Sequence, residues 1–131
     1  MSYRAHWFLR FARGASGAVA VEFALMLPVY IVFVLGVMEF GRWIWIRNTM
    51  EMAAESAARY GAITSGATDA SIETQAATYL IGIAPASVTF NATACASNVV
   101  TVNATHNFTP LAATFVPIPA AAISVTATIA C

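Results

Sequence analysis

The chain has 131 residues, room for one domain with an appended element, and it is 60% hydrophobic, 9% charged and free of lysine. Its net charge is zero but unevenly spread. Residues 1–17 carry Arg4, Arg10 and Arg13 with no acid, Glu22 is isolated, and residues 39–131 hold five acids against three arginines. No basic cluster of the kind that marks a nucleic-acid partner is present, whereas a membrane span plus a small uncharged polar domain accounts for the composition.

Residues 1–17, MSYRAHWFLRFARGASG, form a basic leader interrupted by aromatics. From Phe23 to Met38 sixteen residues pass without a charge, about 24 Å of helix at 1.5 Å per residue. Adding Ala18 to Val21 makes the helix long enough to cross a hydrocarbon core of about 30 Å, with Glu22 near one edge. Trp43 and Trp45 then fall at the other interface, where amphipathic rings prefer to lie. Basic residues before the span keep the N-terminus cytoplasmic and place the C-terminal part across the membrane. Pro28 lies inside the helix and is expected to kink it.

The helix is expected to continue beyond the membrane. Ile46, Met50, Ala53, Ala57 and Tyr60 make an apolar stripe at spacings of three and four. Arg47–Glu51 and Glu55–Arg59 are opposite-charge pairs four residues apart, each contributing about 0.2–0.5 kcal/mol. Gly61 and the breaker-rich TSGATD of residues 64–69 end a helix that runs from Ala18 to near Ala62. A short helix is predicted over residues 70–81, with Asp69 as its cap, Ile72, Ala76, Tyr79 and Leu80 on one side, and Pro85 as its stop. The period then changes to two. SVTFNAT (87–93), VTVNAT (100–105) and ISVTATI (123–129) read as half-buried strands, and prolines 110, 117 and 119 exclude regular structure from most of the last connection. The fold class is therefore α+β: a leader (1–17), a long helix (18–62) and a small exported domain (63–131), whose strand order the pattern does not fix.

No charged side chain follows Glu73, so the exported domain depends on Thr, Ser and Asn for solubility. Asn91–Thr93, Asn103–Thr105 and Asn107–Thr109 match the glycosylation sequon, as chance allows wherever Thr and Asn are the polar residues of strands. Cys95 and Cys131 both lie on the exported side. Oxidising conditions there make them a candidate disulfide, closing a loop of about 37 residues and contributing roughly 3–4 kcal/mol. Two cysteines and a solitary His106 have no metal-ligand spacing; His6 lies in the leader, and both histidines are read as structural or solvated. With no nucleophile–base arrangement, phosphate loop or paired catalytic carboxylates, the chain is read as neither an enzyme nor a cofactor protein.

Gly17 followed by four small apolar residues, Glu22 and Phe23, behind a basic leader, is the most informative pattern. No other glycine has a glutamate five positions on, and no small-x-small signal-peptidase site follows the apolar core directly. Cleavage after Gly17 would create an α-amine at Ala18. A carboxylate five residues along a neighbouring helix, about 7.5 Å, could pair with it and so define the stagger between subunits. Ala20 and Ala24, four apart, permit close helix approach. The alternative is a glutamate that points its carboxylate into the headgroups. Glu39 and Arg42, three apart, are either a pair within the helix or a contact for neighbouring subunits or platform proteins.

A glycine cut site with glutamate at the fifth mature position resembles the prepilin family. The longer string GAVAVEFALMLPV…GVMEFGRWIWIRNTMEMAAESAARYGA resembles the TadE-like domain of the tight-adherence (Flp) pilus system, in which VEFAL, a mid-helix proline and EFGR recur. The motif-dense part of this resemblance spans residues 14–62. It implies cleavage between Gly17 and Ala18 by a prepilin peptidase, with Glu22 as the assembly glutamate and Phe23 at a Tyr/Phe position. It further implies a minor pseudopilin of the bacterial inner membrane whose partners are the major Flp pilin, other minor pseudopilins, an inner-membrane platform and its ATPase. A second reading is an uncleaved single-pass protein whose small periplasmic domain binds a ligand or envelope partner.

Overall fold

A computed structural model describes residues 15–113 and 119–131, with side chains from Gly17 onward. The predicted leader, with Arg4, His6, Arg10 and Arg13, lies outside the described residues, as does Pro117. Helix α1 (Ala15–Ile63) runs unbroken past Pro28 and covers both the apolar run and the amphipathic stretch. It begins three residues before the predicted start and ends one beyond the predicted end.

Gly61 was expected to end the helical pattern, but it lies inside α1 and serves a different need. A Cβ there would come within 2.7 Å of Ile72 Cδ1 and 3.0 Å of Val100 Cγ1, so the absent side chain lets the short helix and the sheet approach the end of α1. Helix α2 (Asp69–Thr78) is shorter than predicted, and its cap is Thr68 rather than Asp69. Thr68 Oγ1 accepts from the Ser71 N–H at 3.3 Å, while Ser71 Oγ accepts from the Thr68 N–H at 3.0 Å, a reciprocal capping box. That leaves the Asp69 carboxylate free to work elsewhere. The helix ends at Tyr79, well before Pro85, and Gly82, at φ +72°, turns the chain beneath the Trp45 ring. Pro85–Ser87 form one 3₁₀ turn.

Three strands follow as an antiparallel meander in the order β1 (Val88–Ala96), β2 (Val99–Phe108), β3 (Ala121–Ala130). Each outruns its predicted span at one or both ends. Ser97 and Asn98, with φ of 53° and 64°, make the two-residue turn between β1 and β2, the left-handed pair of angles that matches strand twist. The β2–β3 register is regular throughout, but β1 gains one residue between Thr93 and Ala96. Cys95 sits in this bulge and is joined to Cys131, with Cα atoms 6.1 Å apart, so the bridge ties the two outer strands together across the start of β2.

The alternation assigns the two faces. Val88, Ala92, Val100, Val102, Ala104, Phe108, Ile123, Val125 and Ala127 are buried, while Thr and Asn point outward, with Asn91 opposite Asn103 and Thr126 Oγ1 donating to Asn103 Oδ1 at 2.6 Å. The buried face packs on α1 in two clusters. Ala54, Ala57 and Ala58 meet Ile72, Ala76 and Val102, and nearer the membrane Ile46 and Met50 meet Ile83, Ala104 and Val125. Of the stripe predicted from Ile46, Met50, Ala53, Ala57 and Tyr60 the first four are buried and Tyr60 is half-buried, and Ala54 and Ala58 widen it. Thr49, also buried, returns its hydroxyl to the Trp45 carbonyl at 2.9 Å.

Val100 abuts Gly61 and Phe108 lies against Arg42. Between those anchors α1 rises about 28 Å and β2 about 27 Å, so the strand runs nearly along the helix in the opposite direction. One end of the sheet therefore meets the helix beside its apolar run, and the disulfide closes the far end.

Candidate assembly helix and its junction with the exported domain

Residues 17–33 of α1 are exposed on every side, so among the described residues nothing packs on the segment bearing the predicted processing and assembly residues. Gly17 and Ala18 lie within continuous helix. Glu22 is five residues, about 7.5 Å, further along, and Phe23 beside it is 65% exposed. Among the described residues no salt bridge engages Glu22; the three that form are Arg42–Glu39, Arg47–Glu51 and Arg59–Glu55. The structure thus places the four residues on one bare helix but brings none of them to a partner. The helix is long and apolar enough to cross a membrane, with a mean hydropathy of 2.4 in its most apolar window, none of it buried.

Where the bare segment ends, Glu39 is buried, at 6% exposure. One of its oxygens, Oε1, accepts the N–H groups of Leu111 at 2.6 Å and Ala112 at 2.9 Å; the other, Oε2, accepts Arg42 Nε at 3.1 Å. Arg42 also donates from Nη2 to the Thr109 carbonyl at 2.5 Å and lies over the Phe108 ring, 4.4 Å from its centroid. Two side chains one turn apart therefore hold the chain leaving β2 at four positions: the Phe108 ring and the backbone of Thr109, Leu111 and Ala112. Glu39 and Arg42 do form the pair within the helix that their spacing allows, and both are also engaged by the C-terminal domain.

Two further carboxylates act on the opposite side. Glu73 Oε1 accepts the Ala92 N–H at 3.1 Å and Asp69 Oδ1 accepts the Ala94 N–H at 2.7 Å. These donors lie on the outer edge of β1, where an unpaired row would invite another strand. Sequence reasoning missed both contacts. The available signal was that Asp69 and Glu73 are the last charges in the chain and stand one helical turn apart. His106 lies beside Ser87, its Nδ1 2.8 Å from the Ser87 carbonyl, and among the described residues no three His, Cys, Asp or Glu side chains cluster as a metal site.

Residues 17–59 match the family model described as TadE-like protein. No curated protein and no solved structure matches the chain. The matched residues begin at Gly17 and stop two residues before Gly61, so they take in the bare segment, the Glu39–Arg42 junction and most of the packed stretch, while the sheet lies outside them. Over this long N-terminal helix, about a third of its length, the chain is similar to TadE-like proteins.

Proposed function

We propose that the chain is a minor pseudopilin of a Tad/Flp-type adhesion pilus. It enters the inner membrane with its N-terminus inside, is cut after Gly17 by a prepilin peptidase, and assembles through α1 with the major pilin and other minor pseudopilins. An inner-membrane platform and its ATPase drive that assembly. The observation that supports this reading is the coincidence of two boundaries: the TadE-like match begins at Gly17, the glycine whose spacing to Glu22 makes it a possible cut site.

The bare segment supports the same reading. A helix exposed all round is satisfied by lipid before assembly and by other helices afterwards. On cleavage the Ala18 amine and Glu22 of neighbouring subunits become complementary. An unpaired charge in a low-dielectric bundle is costly, so the pair selects one stagger. The test is the intact mass, or N-terminal sequence, of the full chain expressed with and without a prepilin peptidase. The expected product begins at Ala18 only when the peptidase is present; retention of residues 1–17 in its presence refutes the reading. Glu22→Ala is expected to leave cleavage intact and reduce co-assembly with the pilin, and normal incorporation of that variant would refute the register role.

A further inference from the structure

We infer that the membrane-facing rim of the exported domain is itself a lipid-binding surface, seated in the headgroup region of the bilayer that α1 crosses. The inference rests on the reading of α1 as a membrane anchor. Two loops form the rim. The Leu111 backbone is hydrogen-bonded to Glu39, which places that loop at the residue directly following the apolar run. On the other side Gly82 lies against the Trp45 ring, about 9 Å further along the helix. The headgroup region adds about 5–7 Å on each side of the hydrocarbon, so the first level lies inside it and the second at its outer edge.

At that depth each loop presents a large aliphatic side chain outward: Leu111 is 82% exposed and Ile81 65%. Phe40, at 63%, and Trp45, at 46%, continue the apolar surface on α1 between and beside them. A water-facing loop gains nothing from these residues, whereas each is favoured in lipid. The opposite end of the domain differs: it carries the Ser97–Asn98 turn and the polar Thr64–Gly66 segment, with Ile63 exposed and Val99 only 37% exposed. The rim also presents little charge to resist insertion. Glu39 is buried against Arg42, and no charged residue follows Glu73.

Two apolar cavities connect the rim to the span. One, of about 400 Å³, lies between Leu35 and Met38 of the helix and Leu111 and Ala112 of the loop; the other, of about 380 Å³, lies between Gly36 and Phe40 on the helix and Pro119 and Ala121 at the start of β3. Glu39 lines both cavities and Arg42 the first, but their polar atoms are engaged with each other and with the loop backbone, so the walls that remain are mostly apolar and carry the surface of the span into the domain. The occupant this surface fits is therefore the bilayer itself, with acyl chains entering beneath Leu111. Seated this way, the exported domain holds a fixed orientation to the membrane.

The experiment uses the full chain in phosphatidylcholine–phosphatidylglycerol vesicles, with the Cys95–Cys131 bridge left oxidised. Nitroxide labels are placed singly by Leu111→Cys, Ile81→Cys, Phe33→Cys in the span and Ser65→Cys at the far end. Collision with oxygen, which partitions into lipid, is compared with collision with a water-soluble nickel chelate. The expected oxygen-to-nickel ratio is above one at positions 33, 81 and 111 and below one at 65. Labels at 81 and 111 that follow position 65, while 33 remains in lipid, would overturn the rim and leave the anchor standing. Labels at 81 and 111 shielded from both reagents would indicate a second protein copy and also overturn it. A nickel-accessible position 33 would remove the anchor reading and this inference with it.

Discussion

Helix α1 is one unbroken helix with two environments. Residues 17–33 are exposed among the described residues, whereas from Glu39 onward the same helix carries a buried stripe of Ile46, Met50, Ala53, Ala54, Ala57 and Ala58. Both halves are helical, so the difference lies in what covers the side chains. Apart from Glu22 the first half is apolar all round, with Ala18, Ala20 and Ala24 among larger side chains, while the second narrows to alanine where the sheet packs. Stability measured on the monomer should therefore report on the second half, and assembly on the first.

The largest expected loss on the packed side comes from the disulfide. Replacing both cysteines by serine should lower the stability of the exported domain by about 4 kcal/mol, because a loop of about 37 residues is no longer closed in the unfolded chain. Urea unfolding of the full chain in detergent micelles, followed by tyrosine and tryptophan fluorescence, measures it. Far-ultraviolet circular dichroism should show the span still helical after the domain has melted. If both halves melt together, the division drawn here is wrong.

Met50→Ala comes next. Met50 is fully buried between α1 and the sheet, and truncation should cost about 3 kcal/mol through lost transfer energy and the cavity left behind. A loss below about 1 kcal/mol would mean that the site collapses readily. Smaller again is the double change Asp69→Asn with Glu73→Gln, at about 1 kcal/mol, since one contact is exposed, the other half-buried, and each amide keeps a carbonyl acceptor. Hydrogen exchange at Ala92 and Ala94 should accelerate while exchange at Val102, in the centre of the sheet, does not change.

How much of this was legible in the sequence follows from the range of each signal. The long helix was visible because sixteen uncharged residues and the Ile46–Met50–Ala53–Ala57 spacing are local patterns, and the strands because their alternation is local as well. Strand order was not fixed by pattern, since Thr/Val alternation fits any pairing; the two-residue Ser97–Asn98 turn settles one half of it only once its φ angles are seen. Gly61 was misread because a glycine that admits a neighbour and a glycine that breaks a helix are the same letter. Spacing paired Glu39 with Arg42, but gave no hint of Leu111 and Ala112, more than seventy positions away. Gly17, Ala18, Glu22 and Phe23 stand apart for another reason: a single chain contains none of the partners they are assigned.

The smallest expected effect tests the bare half directly. Phe33 is 68% exposed and touches no buried cluster, so Phe33→Ala should change monomer stability in micelles by less than about 0.5 kcal/mol. Met50→Ala, in the same helix and losing a side chain of similar bulk, should cost several times more. If Phe33→Ala also reduces pilus incorporation, as the assembly reading expects, the two readouts separate cleanly along one helix. If it unfolds the exported domain instead, side-chain packing in the span is coupled to the sheet through Glu39, the one buried acid at their junction.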